Sequence, residues 1–113
     1  MKKSDKKFDN ELRKSLTSLC DNELKCIDGF EWLTHTVNFS NIQASLKIVC
    51  VFDTNQHLNR FLSSSEKPKV ESCILNVISD LNIKLKKPSK QLVFDSEENC
   101  HQFNYGNWAV RLS

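Results

Sequence analysis

A four-residue phrase occurs twice in this chain. Val51-Phe52-Asp53-Thr54 and Val93-Phe94-Asp95-Ser96 each end an apolar run in Val-Phe and follow it with Asp and a hydroxyl residue. Each has a second Phe nine positions after the first, at Phe61 and Phe103. The apolar run reads as a strand entering a core. The Asp reads as a helix N-cap, its carboxylate accepting from first-turn N–H groups that lack a partner within the helix. The phrase therefore predicts two strand-to-helix corners, which confines the fold to a mixture of α and β. Only four or five positions match, and the segments between differ in length and pattern. The two corners thus read as one local solution used twice rather than as a duplication.

The rest of the chain can be assigned around these corners. Phe8, Leu12, Leu16 and Leu19 form one stripe of an amphipathic helix. Phe30 to Val37, rich in aromatic and β-branched residues, predicts a strand, with Asn38 to Asn41 as a turn. Ser45 to Phe52 predicts a second strand, so apolar after Lys47 that both faces need covering, by the core or by a second copy of the chain. A short turn between these strands predicts an antiparallel hairpin. Thr54 to Leu62 predicts a short helix, and Val70 to Leu81 a longer one with Asn82 just past its end. Lys84 to Lys90 is a basic connection, Leu92 to Phe94 a third strand, Ser96 to Phe103 a helix, and Trp108 to Leu112 a fourth strand. The expected fold is α+β in the order α-β-β-α-α-β-α-β: a four-stranded, largely antiparallel sheet with helices on one face.

Length sets one domain over residues 8–113, preceded by a flexible basic tail over 1–7. A chain of this size buries about 65% of its unfolded surface, so it needs no metal or disulfide to fold. The polar Phe8-Asp9-Asn10-Glu11 stands where a signal peptide would be apolar, and the longest apolar run, Ile48 to Phe52, is far too short to span a bilayer. The five cysteines are odd in number and lack C-x-x-C spacing, which predicts reduced thiols in a cytoplasm. The formal charge of +2 is unevenly spread: the first seven residues carry +3, leaving −1 on the other 106. The body is therefore near neutral, without the global basic field of a dedicated nucleic-acid binder.

Three segments together resemble a known family. They are Trp32-x-x-His35-Thr36-Val37, the run from Ser45 to Thr54, and the terminal Gly106-Asn107-Trp108-Ala109-Val110-Arg111-Leu112. Over about residues 24–113 they look like a family of small uncharacterised gamma-proteobacterial proteins sometimes labelled Fis-like transcriptional regulators. The resemblance implies a bacterial, regulatory setting and supplies no catalytic residue.

No constellation of residues fixes a reaction. His35, His57 and His101 are widely separated, and Cys100-His101 are neighbours whose side chains diverge on a helix, so no metal or other cofactor is expected. Asp53 and Asp95 could form a carboxylate pair if the corners meet, but capping duty would lower rather than raise their pKa values. Glu97 and Glu98 flank Cys100 and oppose its thiolate. Two glycines cannot build a phosphate loop. The chain is therefore expected not to be an enzyme. Its candidate contacts are of two kinds. Lys84, Lys86, Lys87 and Lys90 carry four positive charges with no acid between them and suit a phosphate backbone. Trp32, Phe30 and Tyr105 suit a protein interface, or stacking surfaces for bases. The preferred reading is a small accessory or regulatory module that binds an unidentified protein, with a homodimer as one form of that. The rival is an RNA- or DNA-binding module using the lysine connector.

Overall fold

The computed structural model describes residues 3–112. Its first helix, α1 (Lys3–Leu19), runs on into one π-helical turn over Cys20–Leu24. There follow β1 (Phe30–Thr36), α2 (Ile42–Ser45), β2 (Lys47–Phe52), α3 (Asn55–Leu62) and α4 (Glu66–Asp80). The chain closes with α5 (Pro88–Gln91), β3 (Leu92–Ser96), α6 (Glu97–Asn104) and α7 (Trp108–Arg111). Residues 3–7, expected in the tail, belong to α1, whose first turn carries Asp5 near the positive end of the helix dipole. Met1 and Lys2 lie outside the described residues.

The fold is α+β, as expected, but the sheet has three strands and is mixed, in the order β1-β2-β3. β1 and β2 form the expected antiparallel hairpin, Thr36 opposite Lys47 and Leu33 opposite Cys50. β3 lies parallel to β2, Ile48 opposite Leu92 and Phe52 opposite Ser96. The expected fourth strand is instead the helical turn α7. The alternation of Trp108, Val110 and Leu112 imitates a strand, but the Asn107 side chain accepts from the Val110 N–H and starts a helix.

One sheet face holds the main core. Ile48, Cys50, Phe52 and Leu92 pack against Leu12, Leu16 and Leu19 of α1, Leu58 and Phe61 of α3, and Val70, Ile74 and Ile78 of α4. The α1 residues are the stripe that the helical spacing picked out. α4 ends as expected: Asn82 takes φ 63°, and the Ile83 N–H returns to the Ile78 carbonyl at 3.1 Å. The other face is covered too, which corrects the one-sided expectation. Val49 and Val51 are fully buried yet stand outside the main cluster, and α7 lies over this face, joining Asp95, Val49 and Val93 around one small cavity. The apolarity of β2 is thus satisfied within one chain. All five cysteines are free. Among the described residues, no helix is long and apolar enough to cross a membrane.

Candidate binding surfaces

The two corners meet, because β2 and β3 run parallel and leave the sheet at the same end, staggered by two residues. The caps are the hydroxyl residues, not the aspartates. Thr54 Oγ1 accepts from the His57 N–H at 3.2 Å, and Ser96 Oγ accepts from the Asn99 N–H at 3.0 Å. The short hydroxyl side chain stands immediately before the first helical residue, where it reaches the third N–H. Each Asp does a different job, accepting from the next backbone N–H and from the side chain four residues on: Asp53 from Thr54 and His57, Asp95 from Ser96 and Asn99. Cross-links join the corners. Ser96 Oγ donates to Asn55 Oδ1, Asn55 Nδ2 to Asn99 Oδ1, and the Asn55 N–H to Glu98. The repeated phrase therefore encodes one buttressed junction.

Both aspartates at this junction are held by hydrogen bonds. Burial alone would raise the Asp95 pKa, but hydrogen bonds from Arg111, the Ser96 N–H and Asn99 outweigh it and hold the carboxyl below its ordinary value. Arg111 grips Asp95 with two N–H groups, at 2.6 and 3.0 Å. Asp53 is lowered chiefly by its hydrogen bond with His57. The two carboxylates have separate partners, Asp53 in His57 and Asp95 in Arg111. Burial raises the pKa of the Cys100 thiol, and Glu97 and Asp95 add to that rise. No group of three metal-ligating side chains occurs among the described residues.

Gly29 closes the same end. It holds φ +83° and accepts from the Asp53 N–H at 2.8 Å, and a Cβ there would collide with the His57 side chain. Gly29→Ala combines that collision with a disfavoured backbone and is expected to cost about 2–3 kcal/mol. The midpoint of urea unfolding measures it.

The aromatic candidates separate. Trp32 is half-buried, its ring edge-on to Trp108 at 4.9 Å, and both indole N–H groups donate to the Glu97 carboxylate. Phe30 is half-buried against Phe52 at 6.1 Å. Both make internal aromatic contacts while staying partly exposed. Tyr105 is 94% exposed, Phe103 65% and Val110 56%, so three of the four exposed large apolar side chains among the described residues fall within eight residues. Tyr105 also takes a left-handed backbone, φ 52° and ψ 33°.

The lysines gather at the opposite end of the sheet. Ile83 and Leu85 are buried, which leaves Lys84 and Lys86 facing out, beside exposed Lys87 and Lys90. Gln91 ties this connector down, donating to the Gln43 and Leu46 carbonyls and accepting from the Lys87 N–H. Lys47 therefore joins the group. So do Lys6 and Lys7, because Phe8 meets Phe39, in the turn after β1, edge to face at 6.3 Å. α1 carries Asp5, Asp9 and Glu11 and α4 ends at Asp80, whereas segments 32–52 and 81–94 contain no acid.

Asp9 was not legible as a site residue in the sequence. It accepts from His35 at 2.9 Å and from Arg13 at 2.8 Å, joining α1 to β1, and the His35 hydrogen bond is the main cause of its lowered pKa. Only the exact helix–strand register brings these three residues together; the signal was an acid on the flank of an otherwise apolar stripe. No protein-family model, no curated protein and no solved structure matches this chain.

Proposed function

We propose that this protein is a small, non-catalytic cytoplasmic accessory module that works by binding another protein. The observation that carries this reading is Tyr105. A bulky aromatic held at positive φ costs about 1 kcal/mol relative to glycine, and its side chain is 94% exposed, so no internal packing offsets that cost. Exposed aromatics of this kind serve as anchors in protein interfaces, and Phe103 and Val110 extend the same apolar corner.

Two measurements test it. Tyr105→Gly relieves the backbone and is expected to stabilise the fold by about 0.5–1 kcal/mol in urea unfolding. The same variant is expected to lose a partner that a photo-crosslinking residue at Phe103 captures in the parent. A partner retained by Tyr105→Gly would defeat the reading.

The convergence of the lysines favours a second reading, nucleic-acid binding at the basic end. Trp32 and Phe30 are remote from those lysines and turned inward, so base stacking does not support it, and backbone contacts alone would be weak and salt-dependent. Pull-down at low and high salt, with and without nuclease, separates the two. Recovery that survives both treatments supports the protein partner.

A further inference from the structure

β1 is an edge strand. It pairs with β2 alone, and among the described residues no hydrogen bond from another element reaches its outer backbone groups over residues 31–36. From Trp32 to Thr36 the ladder is regular, after an irregularity between Phe30 and Trp32. Five residues of edge are enough to pair with an incoming strand about 17 Å long.

A groove runs beside this edge. A cavity of about 470 Å³ has Asp9, Arg13 and Thr17 of α1 on one wall and Leu33, Thr34 and His35 of β1 on the other. Leu33 packs on the main core whereas Thr34 alternates to the opposite face, so consecutive strand residues line the wall and it includes the strand's own backbone. A second cavity, of about 550 Å³ around the turn after β1, shares Val37 and Phe39 with the first and lengthens the groove toward the start of α1.

Edges of this kind are normally guarded by a lysine, a proline or a covering element. Residues 32–36 contain neither residue. We propose that the groove between α1 and the free edge of β1 receives an extended peptide segment of another protein, which adds to the sheet as a fourth strand. The backbone supplies affinity by completing the ladder, and the groove reads alternate side chains. The incoming segment should carry apolar residues toward Leu33 and an acid toward Arg13. Arg13 is 69% exposed and gives one N–H to Asp9, and a guanidinium carries further donors suited to a carboxylate. A second copy of the chain suits the groove less well. Edge-to-edge pairing would bring a second α1 into the space that this α1 already flanks. The inference is independent of Tyr105, which belongs to a different element.

The test pans a display library of random linear peptides against the full chain and studies the enriched peptides as synthetic ligands. Enrichment of alternating apolar peptides with an acid is expected, together with slowed hydrogen exchange at the amides of residues 32–36. Thr17→Trp fills the groove from an exposed helical position and should weaken binding about tenfold or more, with unchanged thermal stability. Should that variant fail to fold, Arg13→Glu serves instead, losing the acidic peptides specifically. The proposal is overturned if no peptide enriches, or if bound peptides leave the β1 amides exchanging as before. It is overturned equally if those amides are protected without peptide as protein concentration rises, which would identify a second copy as the occupant.

Discussion

Ile74→Asp is expected to abolish the folded state. Ile74 is fully buried in the middle of α4, within the cluster formed by α1, α3 and the main sheet face. Removing the side chain forfeits its burial and leaves a cavity, about 3–4 kcal/mol for the change to Ala alone. The carboxylate adds a charge with no partner, costing several kcal/mol more or forcing its own protonation. The sum rivals the entire stability of a domain this size, about 5–15 kcal/mol. The near-ultraviolet circular dichroism of Ile74→Asp should lose its aromatic signal and its cooperative melt. Ile74→Ala should keep both at a lower midpoint. An Ile74→Asp variant that melts with the parent would show that Ile74 is not buried in this cluster.

Arg111→Ala is the second large effect. Its ion pair with Asp95 is mostly screened from water, the side chains being 22% and 12% exposed. Removing one member of such a pair leaves the other charge buried, which costs about 3 kcal/mol. The pH dependence has a definite sign. Asp95 is held below its unfolded pKa, so its contribution is present above that value, near pH 4, and is lost as pH falls through the folded value. Without Arg111, burial dominates and the carboxyl resists ionisation. The gap between parent and variant should therefore be full at neutral pH and narrow below about pH 4. Urea unfolding at a series of pH values measures the gap. A gap that stays constant through the acid range would mean that Arg111 stabilises by packing alone.

Much of the fold could be read from periodicity because core residues enforce it. The stripe of α1 and the apolar run of β2 fall where burial demands them. Pairing was less legible. Nothing local in Leu92-Val93-Phe94 states whether that strand lies parallel or antiparallel to β2, since side-chain alternation is the same in both. The terminal segment misled for a related reason: three alternating apolar positions fit either a strand or one helical turn, and the deciding residue was the polar Asn107. Of the candidate contacts, Tyr105 and the lysines lie at the surface as their chemistry suggests. Trp32 is half-buried for a reason the local sequence cannot show, because its tryptophan partner and the Glu97 acceptor come from 76 and 65 positions away. The junction itself was visible as a repeated phrase, but the division of labour within it depends on which atom reaches which N–H.

The parallel pairing of β3 with β2 also sets an order of assembly. Thr36 and Lys47 are 11 residues apart, Ile48 and Leu92 are 44. Two doublings of loop length add about 1.2 kcal/mol of closure entropy to the second pairing. A chain emerging from the ribosome can therefore form the hairpin long before β3 has been synthesised. During that interval the Ile48–Phe52 edge is apolar and unpaired, the kind of segment that seeds aggregation. The lysine connector immediately precedes β3, so a strongly charged stretch arrives just before the strand that covers this apolar edge.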